Sequence, residues 1–109
     1  MSGPRLSALS VIVFAGPLSL ADLAAAEDVK PPTMSRIVEA LVQDGLAARE
    51  LDPSNRRMVR ISATEEGRAR MEAGRARRVA ALTARLATLS TAEQRVLAEA
   101  AVILQRIAR

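Results

Sequence analysis

The sequence contains no cysteine and no histidine. This excludes disulfide bridges, thiol redox sensing, zinc sites built from those residues, and every catalytic pair that uses either of them. No stretch approaches the roughly 20 consecutive apolar residues that a membrane-spanning helix needs, and the first residues lack the apolar run and cleavage site of a signal peptide. We therefore expect a cytoplasmic protein that is not an enzyme and that uses no cofactor, metal ion or membrane.

Aromatic residues are almost absent, because Phe14 is the only one in the 109 residues. Half of the residues are hydrophobic, so the core must consist of aliphatic residues, methionine and alanine. Such a composition favours helices, since leucine and alanine lose little side-chain freedom there. The net charge of +4 suits an anionic partner, of which DNA is the commonest. A basic, solvated surface without a partner has the same composition.

Apolar residues at helical spacing predict five helices. These span residues 5–14, 20–27, 31–43, 65–88, and the segment after Ser90 to the C-terminus. Leu18 begins a very short extended segment, Ser19 and Ser90 each start a capping box, and Gly45 ends the third helix in the left-handed conformation. The third helix is the clearest, because its apolar residues recur at the three- and four-residue spacing of a single buried face.

The spacing of apolar residues changes after the third helix. Residues 46–51 and 58–63 read as two short strands, and the turn-rich, basic segment 52–57 joins them into a hairpin. The predicted fold is mainly α with a small β-hairpin wing, that is, a winged helix-turn-helix followed by two C-terminal helices. We predict a DNA-binding lobe at residues 1–63 and a dimerisation region at residues 64–109, within one continuous structural unit.

The order helix, turn, helix, hairpin predicts a surface for double-stranded DNA. The second helix of the pair buries its apolar residues and turns a polar face outward near its N-terminus, the end that enters the major groove. Arginine can there donate two hydrogen bonds to guanine, and the helix N-terminus favours a nearby phosphate. Cations at the wing tip suit a minor groove. The predicted DNA-binding residues are Pro32, Thr33, Ser35, Arg36, Arg56, Arg57 and Arg60. The alternative is that they are ordinary solvated residues.

Several motifs occur in the order and at the gaps of a known family. They are Pro32-Thr33-Met34-Ser35-Arg36-Ile37-Val38, Asp44-Gly45-Leu46, Asp52-Pro53-Ser54-Asn55-Arg56-Arg57, Val59-Arg60-Ile61-Ser62-Ala63 and Thr64-Glu65-Glu66-Gly67. The sequence from about Leu6 onward resembles the MarR family of winged helix-turn-helix regulators. Two positions depart from the family pattern. Asn55 stands where the family usually has aspartate, and Ala63 stands where it usually has leucine.

The resemblance implies a ligand-responsive transcriptional regulator, usually a repressor. It implies that Arg57 is the minor-groove residue, that Asp52 and Asn55 support the wing, and that a small phenolic or lipophilic effector binds between the dimer helices and the DNA-binding lobe. The candidate lining residues for that pocket are Val11, Phe14 and Met71. Family members usually begin with a long helix that interlocks with a second subunit, and this sequence has no counterpart of that helix.

A wide apolar stripe near the C-terminus predicts a partner surface. It comprises Leu97, Ala100, Ile103, Leu104 and Ile107. A second copy is the simplest cover, and a symmetric homodimer would place two recognition helices on a palindromic operator. Alternatively, residues 79–89 and 96–107 fold against each other as a helical hairpin. The competing function is a winged-helix protein–protein interaction module, or a truncated regulator with weak or no DNA binding.

Overall fold

The computed structural model describes residues 1–108 of the chain. Five helices and three strands follow in the order α1 Gly3–Ala15, β1 Leu18–Ser19, α2 Leu20–Ala26, α3 Pro31–Gln43, β2 Ala47–Leu51, β3 Val59–Ala63, α4 Glu65–Leu86 and α5 Thr91–Ile107. The predicted fold class is confirmed: a helix pair, a β-hairpin wing and two further helices. Within the described residues, none of the helices combines the length and apolar character needed to cross a membrane.

Serine side chains define where three of the helices begin. The Ser2 hydroxyl accepts a hydrogen bond from the Arg5 N–H at 3.3 Å, which starts α1 two residues earlier than the apolar spacing predicts. At Ser19, the hydroxyl accepts from the Asp22 N–H at 3.0 Å, one half of the predicted capping box. At Ser90 both halves form, since the Glu93 N–H donates to the hydroxyl and the Ser90 N–H donates to the Glu93 carboxylate.

Residues Met1–Gly74 form the first of two compact units. Its sheet has the order β1-β3-β2, and neighbouring strands are antiparallel. Leu18 of the short strand β1 pairs with Ile61 of β3. The buried hydrophobic residues come from α1, α2, α3, the turn before β2, the wing strands and the start of α4: Ala8, Leu9, Ile12, Leu23, Ala24, Met34, Val38, Leu41, Leu46, Ala47, Ile61, Ala63 and Met71. This core fixes α3 and the wing in one body.

The second compact unit begins at Arg75. The Gln94 side-chain amide donates to the carbonyls of Leu86 and Leu89, at 3.0 and 3.3 Å, and so holds the start of α5 to the end of α4. No residue of Thr91–Ile107, all of which the structure describes, is buried. The predicted boundary between a DNA-binding lobe at residues 1–63 and a dimerisation region at residues 64–109 stays a prediction.

Candidate nucleic-acid interface

Helix α3 separates a buried face from an outward polar face. Met34, Val38 and Leu41 are fully buried in the first unit, whereas Thr33 and Arg36 are exposed and Ser35 is half-buried. The apolar spacing at three and four residues forces this arrangement, because those positions fall on one side of a helix. The predicted recognition residues therefore lie on an accessible surface of a helix whose other side is anchored.

The N-terminus of α3 has an unusual shortage of hydrogen-bond donors. Pro31 and Pro32 occupy its first two positions, and the cap residue Lys30 makes no side-chain capping bond. The first backbone bond runs from the Met34 N–H to the Lys30 carbonyl at 3.0 Å. Proline has no N–H, so Thr33 carries the one amide donor among the first three helical positions. This helix end therefore offers fewer backbone N–H groups to the phosphate that we expect there.

The wing tip is a turn that its own polar side chains hold in shape. One Asp52 carboxylate oxygen accepts from the Ser54 N–H at 2.8 Å and from the Ser54 hydroxyl at 2.7 Å. The Asn55 side-chain oxygen accepts from the Arg57 N–H at 3.2 Å. Asn55 thus supports the backbone of Arg57, a task for which its amide oxygen suffices without the charge of the usual aspartate.

The arginines of the wing fall into two groups. Arg56 and Arg57 are exposed at the tip, while the guanidinium of Arg60 on β3 lies 3.9 Å from the second carboxylate oxygen of Asp52. The structure therefore brings Arg60 together with the predicted wing support Asp52, and leaves Arg56 and Arg57 free to extend from the tip.

These contacts also determine how Asp52 titrates. Hydrogen bonds from the Ser54 hydroxyl and N–H, followed by the charge of Arg60, hold the pKa of Asp52 below its ordinary value of 3.8. A lowered pKa means that the native turn favours the ionised carboxylate. The contribution of Asp52 to the wing is therefore complete above pH 3.8 and is lost as the pH falls through the lowered pKa.

We expect an NMR titration of the Asp52 carboxyl group to give a midpoint below 3.8. Ser54→Ala should raise this midpoint, because it removes the hydroxyl bond that contributes most. Arg60→Ala is the matched comparison and should raise the midpoint less. A larger rise in Arg60→Ala than in Ser54→Ala would show that the ion pair, not the turn, stabilises the carboxylate.

Thr64 and Gly67 connect the end of the wing to the end of α3. The Thr64 hydroxyl donates to the Gly45 carbonyl at 2.6 Å and accepts from the Gly67 N–H at 3.0 Å, and the Thr64 N–H donates to the Leu46 carbonyl at 3.1 Å. Gly45 has φ of 75°, as predicted. A Cβ on Gly67 would overlap the Leu46 carbonyl oxygen. The last position of the Thr-x-x-Gly motif must therefore be glycine for this junction to form.

An ion pair adds a second connection between α3 and the wing. The Arg49 guanidinium on β2 lies 3.0 Å from the Glu39 carboxylate, and both side chains are partly exposed. Such a pair contributes little stability by itself, but it joins the same two elements as the Thr64 junction. The sequence analysis missed Glu39 and the positioning roles of Arg49 and Gly67. For Gly67, the Thr-x-x-Gly spacing was the available signal.

The proposed effector residues occupy three different environments. Val11 is half-buried, the Phe14 side chain is 75 % exposed, and Met71 is 6 % exposed within the core. Three cavities lie elsewhere, one between α4 and α5, one beside Leu89 and one beside Pro4, and none of these three is lined by Val11, Phe14 or Met71. Among residues 1–108, no group of three or more acidic side chains is placed to hold a metal ion.

An apolar groove of about 720 Å³ lies in the second unit, between the end of α4 and α5. Three of the five predicted interface residues line it: Leu97, Ala100 and Leu104. Their leucine side chains are 45 % and 60 % exposed, and Leu82 on the opposite wall is 58 % exposed. Ile103 and Ile107 are also exposed. The two helices line the same groove but leave these side chains partly exposed, so the contact between them does not bury the whole apolar stripe.

A helix pair, an exposed second helix and a hairpin with a basic tip define a winged helix-turn-helix protein. The MarR family model matches residues 1–59. The chain is 35 % identical over 100 residues to an HTH-type transcriptional regulator of Mycobacterium bovis, an alignment that covers 92 % of this chain and 70 % of that protein. The same figures hold for a regulator of Mycobacterium tuberculosis. The chain belongs to the MarR family and is a transcriptional regulator of the MarR type.

Solved structures agree with this assignment. The fold matches the crystal structure of RV1404 from Mycobacterium tuberculosis with a TM-score of 0.91 and 25 % identity, over 99 % of this chain and 74 % of that chain. It also matches Streptococcus pneumoniae FabT, solved in complex with DNA, with a TM-score of 0.76 and 18 % identity, over 99 % and 76 %. At 18 % identity the second likeness shows the fold alone.

Proposed function

We propose that this protein binds double-stranded DNA with α3 in the major groove and the wing tip in the adjacent minor groove. The observation that carries this proposal is the junction at Thr64, which ties the end of the wing to the turn that follows α3, so that the exposed polar residues of α3 and the exposed arginines of the wing belong to one unit. Two elements held in one body can contact two grooves at once without a further ordering cost. FabT, which shares the fold, was crystallised with DNA, and this supports the proposal.

The proposed contacts differ in kind. Arg36 donates to base edges in the major groove, where guanine offers two acceptors, and Ser35 and Thr33 bond nearby bases or phosphates. Arg57, with Arg56 beside it, enters the minor groove. Arg60 is held beside Asp52 and contributes by supporting the wing and by its charge. Pro32 lies at the leading end of the helix.

We further propose a homodimer formed through the apolar groove of the second unit. Leucine side chains that are half exposed around a groove of about 720 Å³ are costly in water, and burial contributes about 25 cal/mol per Å² of apolar area. A two-fold symmetric dimer would present two recognition helices to a palindromic operator. Repression then follows if the operator overlaps a promoter.

Response to a small phenolic or lipophilic effector is also proposed from family membership. The exposed Phe14 is the one aromatic side chain of the protein, and Val11 lies one helical turn before it. Met71 packs in the core, so an effector that contacts it must change the packing of the first unit. Isothermal titration calorimetry with a small phenolic acid would test this response.

Arg57→Ala should weaken binding to the cognate operator by about 1–3 kcal/mol if Arg57 makes a specific groove contact. The fold should be unchanged, because the side chain is exposed at the turn. Binding is measured by fluorescence anisotropy at a fixed moderate salt concentration, since phosphate contacts make affinity depend strongly on salt.

Arg106→Ala provides the matched control, because it removes the same charge from an exposed site on α5. It should change operator affinity much less than Arg57→Ala does. Equal losses of operator affinity in the two variants would show that Arg57 acts only through its charge and makes no specific groove contact. No loss in Arg57→Ala would reject the wing assignment, and no binding by the parent protein would favour the protein–protein interaction module.

A further inference from the structure

The first turn of the recognition helix offers an apolar surface rather than hydrogen-bond donors. Pro31 and Pro32 are both exposed there, and neither has a backbone N–H. Thr33, the next residue, is also exposed and carries a methyl group beside its hydroxyl. The polar residues Ser35 and Arg36 follow in the second turn. This order places the apolar contact surface at the leading end of the helix.

The major groove contains one apolar group that such a surface would fit. Guanine, adenine and cytosine present acceptors and donors at their major-groove edges, whereas thymine presents its C5-methyl group beside one acceptor. A proline ring pressed against a polar edge would remove water from that edge and return no hydrogen bond, which is unfavourable. Against a methyl group the same ring buries apolar area at no such cost.

We propose that Pro32 makes this protein select thymine in each half-site by contacting its C5-methyl group. The inference rests on the proposed function, since it assumes that α3 enters the major groove. Pro32 and Arg36 are four residues apart and therefore lie on the same side of the helix. Four residues span about 6 Å along a helix, and stacked bases are 3.4 Å apart. The selected thymine accordingly lies about one or two base pairs from the guanine that Arg36 contacts.

The experiment first selects duplexes from a randomised pool with the full protein, and the enriched sequence then serves as the probe. Each thymine of a half-site is replaced in turn by deoxyuridine, which lacks only the methyl group and keeps every hydrogen-bonding atom. We expect one replacement to weaken binding by about fourfold, the factor that corresponds to burying one methyl-sized group. The other replacements should have little effect.

Pro32→Ala should remove this sensitivity, so that the variant binds the thymine and uracil duplexes equally. Pro4→Ala is the matched control, because Pro4 is likewise an exposed proline in the first turn of a helix, α1. It should retain the fourfold preference. Circular dichroism of both variants checks that the helix content is unchanged.

The outcomes separate this inference from the function on which it rests. Tight binding with no loss for any uracil duplex would overturn the thymine contact and leave DNA binding intact. A preference that persists in Pro32→Ala would also overturn it, because another residue would then contact the methyl group. Failure of the pool to yield any enriched sequence would overturn sequence-specific DNA binding itself, and the thymine contact with it.

Discussion

Leu104→Asp is expected to convert the protein from a dimer to a monomer. Leu104 lines the apolar groove of the second unit and is 60 % exposed in the single chain, so it is among the residues that the proposed dimer would bury. The substitution occurs twice in a symmetric dimer. Each copy loses the leucine burial that dimerisation adds, about 1–2 kcal/mol for a side chain that is already partly buried, and places a carboxylate without a partner in an apolar surface. Dimerisation should weaken by at least about a thousandfold.

Val102→Asp is the matched control for this experiment. Val102 is 61 % exposed, belongs to the same helix and does not line the groove. It lies about 200° around the helix from Leu104, since each residue turns the helix by about 100°. Sedimentation velocity at micromolar concentration should find the parent protein and Val102→Asp dimeric, and Leu104→Asp monomeric. A monomeric parent protein, or equal dissociation of both variants, would contradict an interface through the groove.

Gly67→Ala is expected to destabilise the first unit by about 1–3 kcal/mol, the usual cost of forcing an additional carbon into a packed site. The added Cβ would overlap the Leu46 carbonyl oxygen and approach its carbon to 3.0 Å. Both atoms belong to the backbone, so neither can rotate away. Either α4 or the turn before β2 must move, and the hydrogen bond from the Gly67 N–H to Thr64 is strained with it. Urea unfolding measures the loss.

Gly3→Ala serves as the control, because a Cβ on Gly3, in the first turn of α1, would meet nothing within 4 Å. Its free energy of unfolding should change by less than about 0.5 kcal/mol. Gly67→Ala should also weaken operator binding more than Gly3→Ala does, because a displaced junction misaligns the wing with α3. Unchanged stability in Gly67→Ala would mean that the Thr-x-x-Gly junction relaxes freely and does not position the wing.

Local signals were sufficient to predict the elements of this protein. The hydroxyl of Ser90 and the carboxylate of Glu93 meet within one turn, and the apolar spacing of α3 defines its buried face by itself. The hairpin follows from alternating residues on either side of a turn-forming segment. These features depend on residues a few positions apart, whose separation the backbone geometry of a helix or turn determines.

Tertiary structure decided which of the predicted residues act together. Thr64 reaches a carbonyl 19 residues earlier in the chain, Arg60 lies beside Asp52 rather than alone, and Met71 packs in the core with residues of distant elements. No local pattern specifies such contacts, because each depends on the paths of two separate elements and on the side chains that pack between them. The sequence by itself determined the helices, the wing and the family. Only the close approach of the first turn of α4 to the Leu46 carbonyl, in the turn between α3 and β2, determined why Gly67 has no room for a side chain.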